Sequence, residues 1–321
     1  MPYIENSLYK PPALMRSAHL LTIYPSLFRK IRDVKYERER INTPEADFLD
    51  IDWSRIGSSK VAIISHGLEG HTQRSYVLGM VRALNKHGWD VAAWNFRGCS
   101  GEPNRLPQFY HSGSSDDLET VINHIRGLGK YEKIDLVGFS MGGNITLKYL
   151  GEKSGEVPQE IGRAVAFSVP CDLKNSSYKL DKLGNALYMR RFLRSLRVKI
   201  RQKAALFPDK LNDDGYRKIK NFKHFDDRYT AKLHGFRDAE DYWQQCSSLF
   251  YLKEIRIPAL LVSARDDPFL SLECYPYKIA NRHEYFFLET PKHGGHVGFV
   301  QFNSSGIYWS EQRAIQFLNH Y

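Results

Sequence analysis

Gly138-Phe139-Ser140-Met141-Gly142 is the segment of this 321-residue chain best suited to covalent chemistry. A serine with glycine two residues to either side can occupy a turn too tight for neighbouring side chains, which lifts its hydroxyl clear of the backbone. An apolar run, 134–137, precedes it and a helical stretch, 144–149, follows, so a strand should end and a helix begin at Ser140. The helix N-terminus then faces the negative charge that develops on an attacked carbonyl, with the Met141 N–H as one donor. A serine hydroxyl is a poor nucleophile until a base takes its proton, and that base needs a carboxylate to orient it. The chemistry in question is acyl transfer.

Candidates for base and carboxylate lie downstream, in the order serine, acid, histidine. The apolar run 258–262 leads into Arg265-Asp266-Asp267-Pro268-Phe269, and the run 285–288 leads into His293-Gly294-Gly295-His296. Both loops follow strands, where sites of open α/β sheets gather. Gly294 and Gly295 free the backbone to swing His296 inward, which favours it over His293 as the base. A second oxyanion donor should come from the loop after the run 61–65, Ser65-His66-Gly67-Leu68. Gly67 permits close approach, so the Leu68 N–H is assigned. His66 reads as a brace of that loop, and Arg97, after the run 91–96, as an internal ion-pair anchor.

The elements that must position these residues form a β-α alternation. Short apolar runs at 61–65, 91–96, 134–138, 164–168, 258–262 and 285–288 fit strands buried on both faces. Helical patterns fall at 74–87, 116–126, 141–151, 272–280 and 310–319. This predicts an α/β fold with a doubly wound, mostly parallel sheet and helices on both faces. Residues 33–41 and 48–53 read as an antiparallel pair, and the first 30 residues as an arm on the body, with prolines at 11, 12 and 25 breaking any long helix. About eighty residues from Cys171 carry helical patterns without a strand. The expected organisation is a core from 1–170 and 251–321, interrupted by a helical cap at 171–250.

Apolar residues make up 42% and charged residues 26% of the chain, which excludes disordered and fibrous classes. Residues 174–237 hold 18 Lys and Arg against 6 Asp and Glu, so this one segment accounts for the formal net charge of +10. Within it, residues 188–207 place apolar positions at helical spacing, with Arg190, Arg191, Arg194, Arg197, Lys199, Arg201 and Lys203 between them. The pattern suits a cap helix packed on the body, or an interfacial helix touching anionic membrane. A rival function follows: a non-catalytic binding protein on the same scaffold, contacting membrane or nucleic acid through the basic cap. No stacking-aromatic motif or recognition helix accompanies the charge, so nucleic acid is not expected. The four cysteines are scattered singly, and Asp213-Asp214-Gly215 and Asp226-Asp227 lack a calcium-loop spacing, so no metal is expected. No apolar run reaches the ~18 residues of a membrane helix, and a cytoplasmic location is expected.

With these residues in view, the chain resembles the α/β-hydrolase superfamily, and within it the YheT-like, or hydrolase-4, branch. The resemblance spans nearly the whole chain. It is carried by Ser17 to Ile23, His66-Gly67-Leu68-Glu69-Gly70, Phe96 to Gly101, Tyr110-His111-Ser112-Gly113, the Ser140 turn, Asp266 to Phe269 and Gly294 to Phe299. Leu21 departs from the glutamine common in relatives. The resemblance implies hydrolysis of simple or lipid acyl esters through an acyl-enzyme intermediate, without a cofactor. An acyltransferase would use the same machinery. In hydrolases of this fold the acid usually falls four positions into its turn, counted here from Ala264. That selects Asp267 and leaves Asp266 bracing the loop.

Overall fold

A computed structural model describes residues 2–320; Met1 and Tyr321, at the ends of the two expected core segments, lie outside the described residues. Nine strands form one sheet: β1 (Tyr3–Ile4), β2 (Glu37–Asn42), β3 (Phe48–Ser54), β4 (Lys60–Ser65), β5 (Asp90–Asn95), β6 (Lys133–Phe139), β7 (Ile161–Phe167), β8 (Ala259–Val262) and β9 (Phe286–Glu289), in the order β1-β9-β8-β7-β6-β4-β5-β3-β2. All neighbours pair in parallel except β2 with β3 and β3 with β5. The six apolar runs become β4 to β9 and the mixed pair becomes β2 and β3. This is the doubly wound, mostly parallel sheet that the β-α alternation predicts.

The helices are α1 (Ala18–Phe28), α2 (Ser75–Lys86), α3 (Ser115–Gly127), α4 (Met141–Lys153), α5 (Leu173–Leu180), α6 (Ala186–Leu206), α7 (Phe222–Phe225), α8 (Ala231–His234), α9 (Ala239–Cys246), α10 (Tyr277–Ala280) and α11 (Trp309–His320), of which α5 to α9 form an insertion between β7 and β8. Alternate residues of one strand serve opposite faces, as a two-residue side-chain period requires. Ala62 and Ile64 pack with Met80 and Leu84 of α2 and Leu318 of α11, whereas Val61 and Ile63 join Val121 of α3 and Ile145 of α4. Both faces of the central strands are therefore apolar. In β3 the acids Asp50 and Asp52 are buried but stand directly across from Arg40 and Arg38, with bidentate pairs at 2.7 and 2.9 Å. Such forked pairing satisfies carboxylates that burial would otherwise penalise.

Three expectations need correction. The region 272–280 is not one helix but a short turn at Leu272–Cys274 followed by the single turn α10, because Pro276 intervenes without an N–H to continue the first. Pro25 does not prevent a helix of 11 residues: it lies within α1, where the Leu21 carbonyl that it leaves without a helical partner faces Gly298 instead. Finally, Lys199 and Lys203 do not belong to the outer face of α6. They point inward with Met189, Leu193, Leu196 and Ile200.

Candidate active site

Ser140 sits between the end of β6 and the start of α4 with φ 53° and ψ −117°, a conformation that costs a non-glycine residue about 1–3 kcal/mol. The surroundings enforce it. Its N–H donates to Phe167 O of β7 (2.8 Å) and its C=O accepts from Asn144 N–H (3.0 Å). A Cβ on Gly142 would lie 2.3 Å from Ser65 O and 2.4 Å from His66 O, and one on Gly138 would lie 2.5 Å from Gly143 Cα. The two glycines let α4 start directly over the end of β4.

The loop after β9 brings His296 to the serine, with Nε2 2.9 Å from Ser140 Oγ. On the other side Nδ1 is 2.9 and 3.1 Å from the two Asp267 oxygens. An ionised carboxylate only accepts, so Nδ1 carries the proton and Nε2 is left to accept from the Ser140 hydroxyl. Asp267, 4% exposed, also accepts from Phe269 N–H (2.9 Å), and the Phe269 ring lies against the imidazole at 4.2 Å. The backbone of the loop is held as well. His296 N–H donates to Thr22 Oγ1 of α1 (2.9 Å) and Val297 N–H to Ser168 Oγ beyond β7 (2.9 Å). Gly295 (φ 62°) has no room for a Cβ, which would fall 2.6 Å from Ala18 O.

Asp266 and His293 face away from Ser140 and pair with each other at 3.2 Å. Asp266 also accepts from Gly295 N–H (3.0 Å), a contact that braces the His296 loop, and burial raises its pKa. On the opposite side, Gly67 lies against the nucleophile: a Cβ there would be 3.2 Å from Ser140 Cβ. Neither the Leu68 nor the Met141 N–H has a hydrogen-bond partner among the described residues. His66 donates from Nδ1 to Gly67 O (2.8 Å) and accepts at Nε2 from Phe96 N–H (3.3 Å). Burial lowers its pKa to about 3, so it stays neutral, as a brace between two backbone groups requires. Arg97 anchors the next loop through Asp117, Asp47 and Glu45.

An inner cavity meets Ser140, Met141, Leu68 and His296, and its walls include Phe109, Leu196, Phe225 and Trp243. Most of its far wall comes from the helical insertion between β7 and β8. The buried carboxyl of Asp226, held by Thr230 Oγ1 (2.7 Å) and Trp243 Nε1 (2.9 Å), also lines it, and burial pushes its pKa up to about 7. An outer groove between α1 and α6, with Ile23, Leu27, Arg74 and Arg191 on its walls, reaches the same serine and histidine. Ser140 thus stands between an apolar chamber and a more polar approach.

Residues 61–302 match the model of the alpha/beta hydrolase fold family. The chain is 35% identical to "Putative esterase YheT" of Escherichia coli, over 93% of this chain and 88% of that protein. It belongs to the α/β-hydrolase family. Within it the chain is YheT-like. It is also 30% identical to a phospholipase, ABHD3 of Bos taurus, over 84% of this chain and 67% of that protein. The crystal structure of the Pyrococcus furiosus esterase Pf2001 superposes with a TM-score of 0.61 at 19% identity, covering 91% of this chain and 96% of the other. These likenesses make the protein a carboxylesterase- or lipase-like hydrolase, and ester hydrolysis its reaction class.

Sequence reasoning did not find every residue that supports this hydrolase site. Thr22, Ser168, Tyr76 and Tyr110 hold its loops, each from a different element or loop, and no local spacing marks them.

Proposed function

We propose that the protein hydrolyses carboxylic esters with Ser140 as nucleophile, His296 as base and Asp267 as the orienting acid. The alignment of Ser140 Oγ, His296 and Asp267 at 2.9 Å per step supports this most strongly. As Ser140 Oγ bonds to the ester carbonyl carbon, its proton passes to His296 Nε2. The Leu68 and Met141 N–H groups receive the oxyanion, the tetrahedral adduct collapses, and the alcohol leaves with the proton from His296. Water then repeats the sequence on the acyl-enzyme. No metal or cofactor enters these steps. An alcohol in place of water would make the same site an acyltransferase.

Residues 171–250 act as a cap over a core of 1–170 and 251–321, and the inner cavity takes the acyl chain of a simple or lipid ester. Its aromatic and aliphatic walls favour that placement over the groove. Arg190, Arg191 and Arg194 of the cap are exposed and without a carboxylate partner among the described residues, beside the exposed Leu183 and Leu187. Together they suit peripheral contact with an anionic membrane surface. No helix among the described residues is long and apolar enough to cross a membrane. Four free thiols fit a reducing cytoplasm. A non-catalytic binder would leave the serine-to-aspartate alignment without a use. A fluorophosphonate probe tests the reading: it should attach to Ser140, located by peptide mass spectrometry, and failure to label would count against a nucleophilic serine.

A further inference from the structure

The oxyanion side of the site depends on the orientation of one peptide, Gly67–Leu68. A trans peptide is planar, so its C=O and N–H point in opposite directions. Gly67 O accepts from His66 Nδ1–H (2.8 Å) and from Gly70 N–H (2.9 Å), which turns the Leu68 N–H the other way and leaves it free to donate. Gly70 reaches back across a turn in which Glu69 adopts φ 53°, a left-handed conformation uncommon for a glutamate.

What holds Glu69 there comes partly from the cap. Tyr110 OH donates to Glu69 Oε1 (2.5 Å) and accepts from Glu69 N–H (3.2 Å), clamping side chain and backbone together. Lys199 Nζ stands 3.6 Å from the same Oε1 and donates to Gly98 O (2.5 Å). Lys199 is only 9% exposed and lies on the inward stripe of α6, where an apolar residue would pack without the cost of burying a charge. One turn further along, Lys203 is fully buried too, but it bonds to Asn104 O and Leu106 O and touches nothing in the oxyanion loop.

We propose that Lys199 of the cap helix is a positioning residue for ester hydrolysis, fixing through Glu69 and Tyr110 the turn that aims the Leu68 N–H. The oxyanion hole is then complete only when the cap is seated on the core. This rests on the reading of Leu68 as an oxyanion donor.

The test compares wild type with Lys199→Met, Lys199→Arg, Tyr110→Phe and Lys203→Met, using a short p-nitrophenyl ester and a trifluoromethyl ketone whose adduct on Ser140 carries the oxyanion. Loss of a whole donor costs about 10²–10³ in kcat, so its misaiming should cost about 10–100-fold for Lys199→Met, with KM held within about threefold. Affinity for the ketone should fall in parallel, Lys199→Arg should recover much of it, and Tyr110→Phe should shift the same way while losing only a hydroxyl. Lys203→Met should lower the melting temperature without lowering kcat. The proposal is overturned if a folded Lys199→Met protein keeps wild-type kcat and ketone affinity, if Tyr110→Phe does so, or if Lys203→Met loses kcat equally. A wild-type protein that neither turns over the ester nor binds the ketone would instead overturn the esterase reading itself.

Discussion

Two adjacent aspartates compete to orient one histidine, and their geometry separates them. Asp267 reaches His296 Nδ1 at 2.9 Å, while Asp266 turns to His293 and the Gly295 N–H. Sequence order alone left both open, since neighbours in one turn share every local signal; only the resemblance to hydrolases of this fold selected between them. The preference for His296 over His293 was legible in the glycine pair, because freedom of the backbone is a local property. Asp267→Asn should lower kcat by about 10⁴-fold, as expected when the imidazole loses the partner that fixes its tautomer. Asp266→Asn should cost less than about tenfold. Ester turnover of the two variants checks this, and equal losses would mean that the acid has been misassigned.

At the scale of elements, α1 carries a task that its sequence did not reveal. Read as part of an arm lying on the body, it lies against the His296 loop in particular, with Thr22 Oγ1 accepting from His296 N–H and Leu21 buried. Thr22→Val keeps the shape and removes the acceptor. An unsatisfied buried N–H costs about 1–3 kcal/mol, so the variant should melt earlier and lose about tenfold in kcat. Thermal melting together with kinetics would reveal it. In the helical insertion between β7 and β8, the irregular helical turn at Asp226–Thr230 buries Asp226 with its pKa raised to about 7 from 3.8. The folded state therefore holds the proton more tightly than the unfolded one. That contribution to stability is complete below pH 3.8 and is lost as pH rises through about 7. Relative to Asp226→Asn, wild type should lose about 3 kcal/mol of stability between pH 5 and 8, measured by urea unfolding at both. A pH-independent difference would show that the acid is not buried in the solution structure.

For the molecule as a whole, the β-α alternation was readable because strands buried on both faces must be apolar runs, and the runs became β4 to β9 within a few residues. The edge strand β1 was not readable, for two residues carry no periodicity. The charge of the segment 174–237 was visible, but its use was divided: Arg197 and Arg201 pair with Asp213, and Lys199 and Lys203 turn inward. Helical spacing cannot distinguish a lysine on the solvent side from one whose ammonium finds buried carbonyls. If the remaining exposed cations meet anionic lipid, retention on vesicles containing phosphatidylserine should fall steeply as salt rises. Equal retention on neutral vesicles would remove the electrostatic account. The central claim, that Ser140 is the nucleophile of an ester hydrolase, is tested most directly by turnover of p-nitrophenyl esters from acetate to palmitate in wild type and Ser140→Ala. Wild type should hydrolyse at least part of the series, and the alanine variant should lose at least about 10³-fold while remaining folded. A folded Ser140→Ala protein with wild-type turnover would contradict the account.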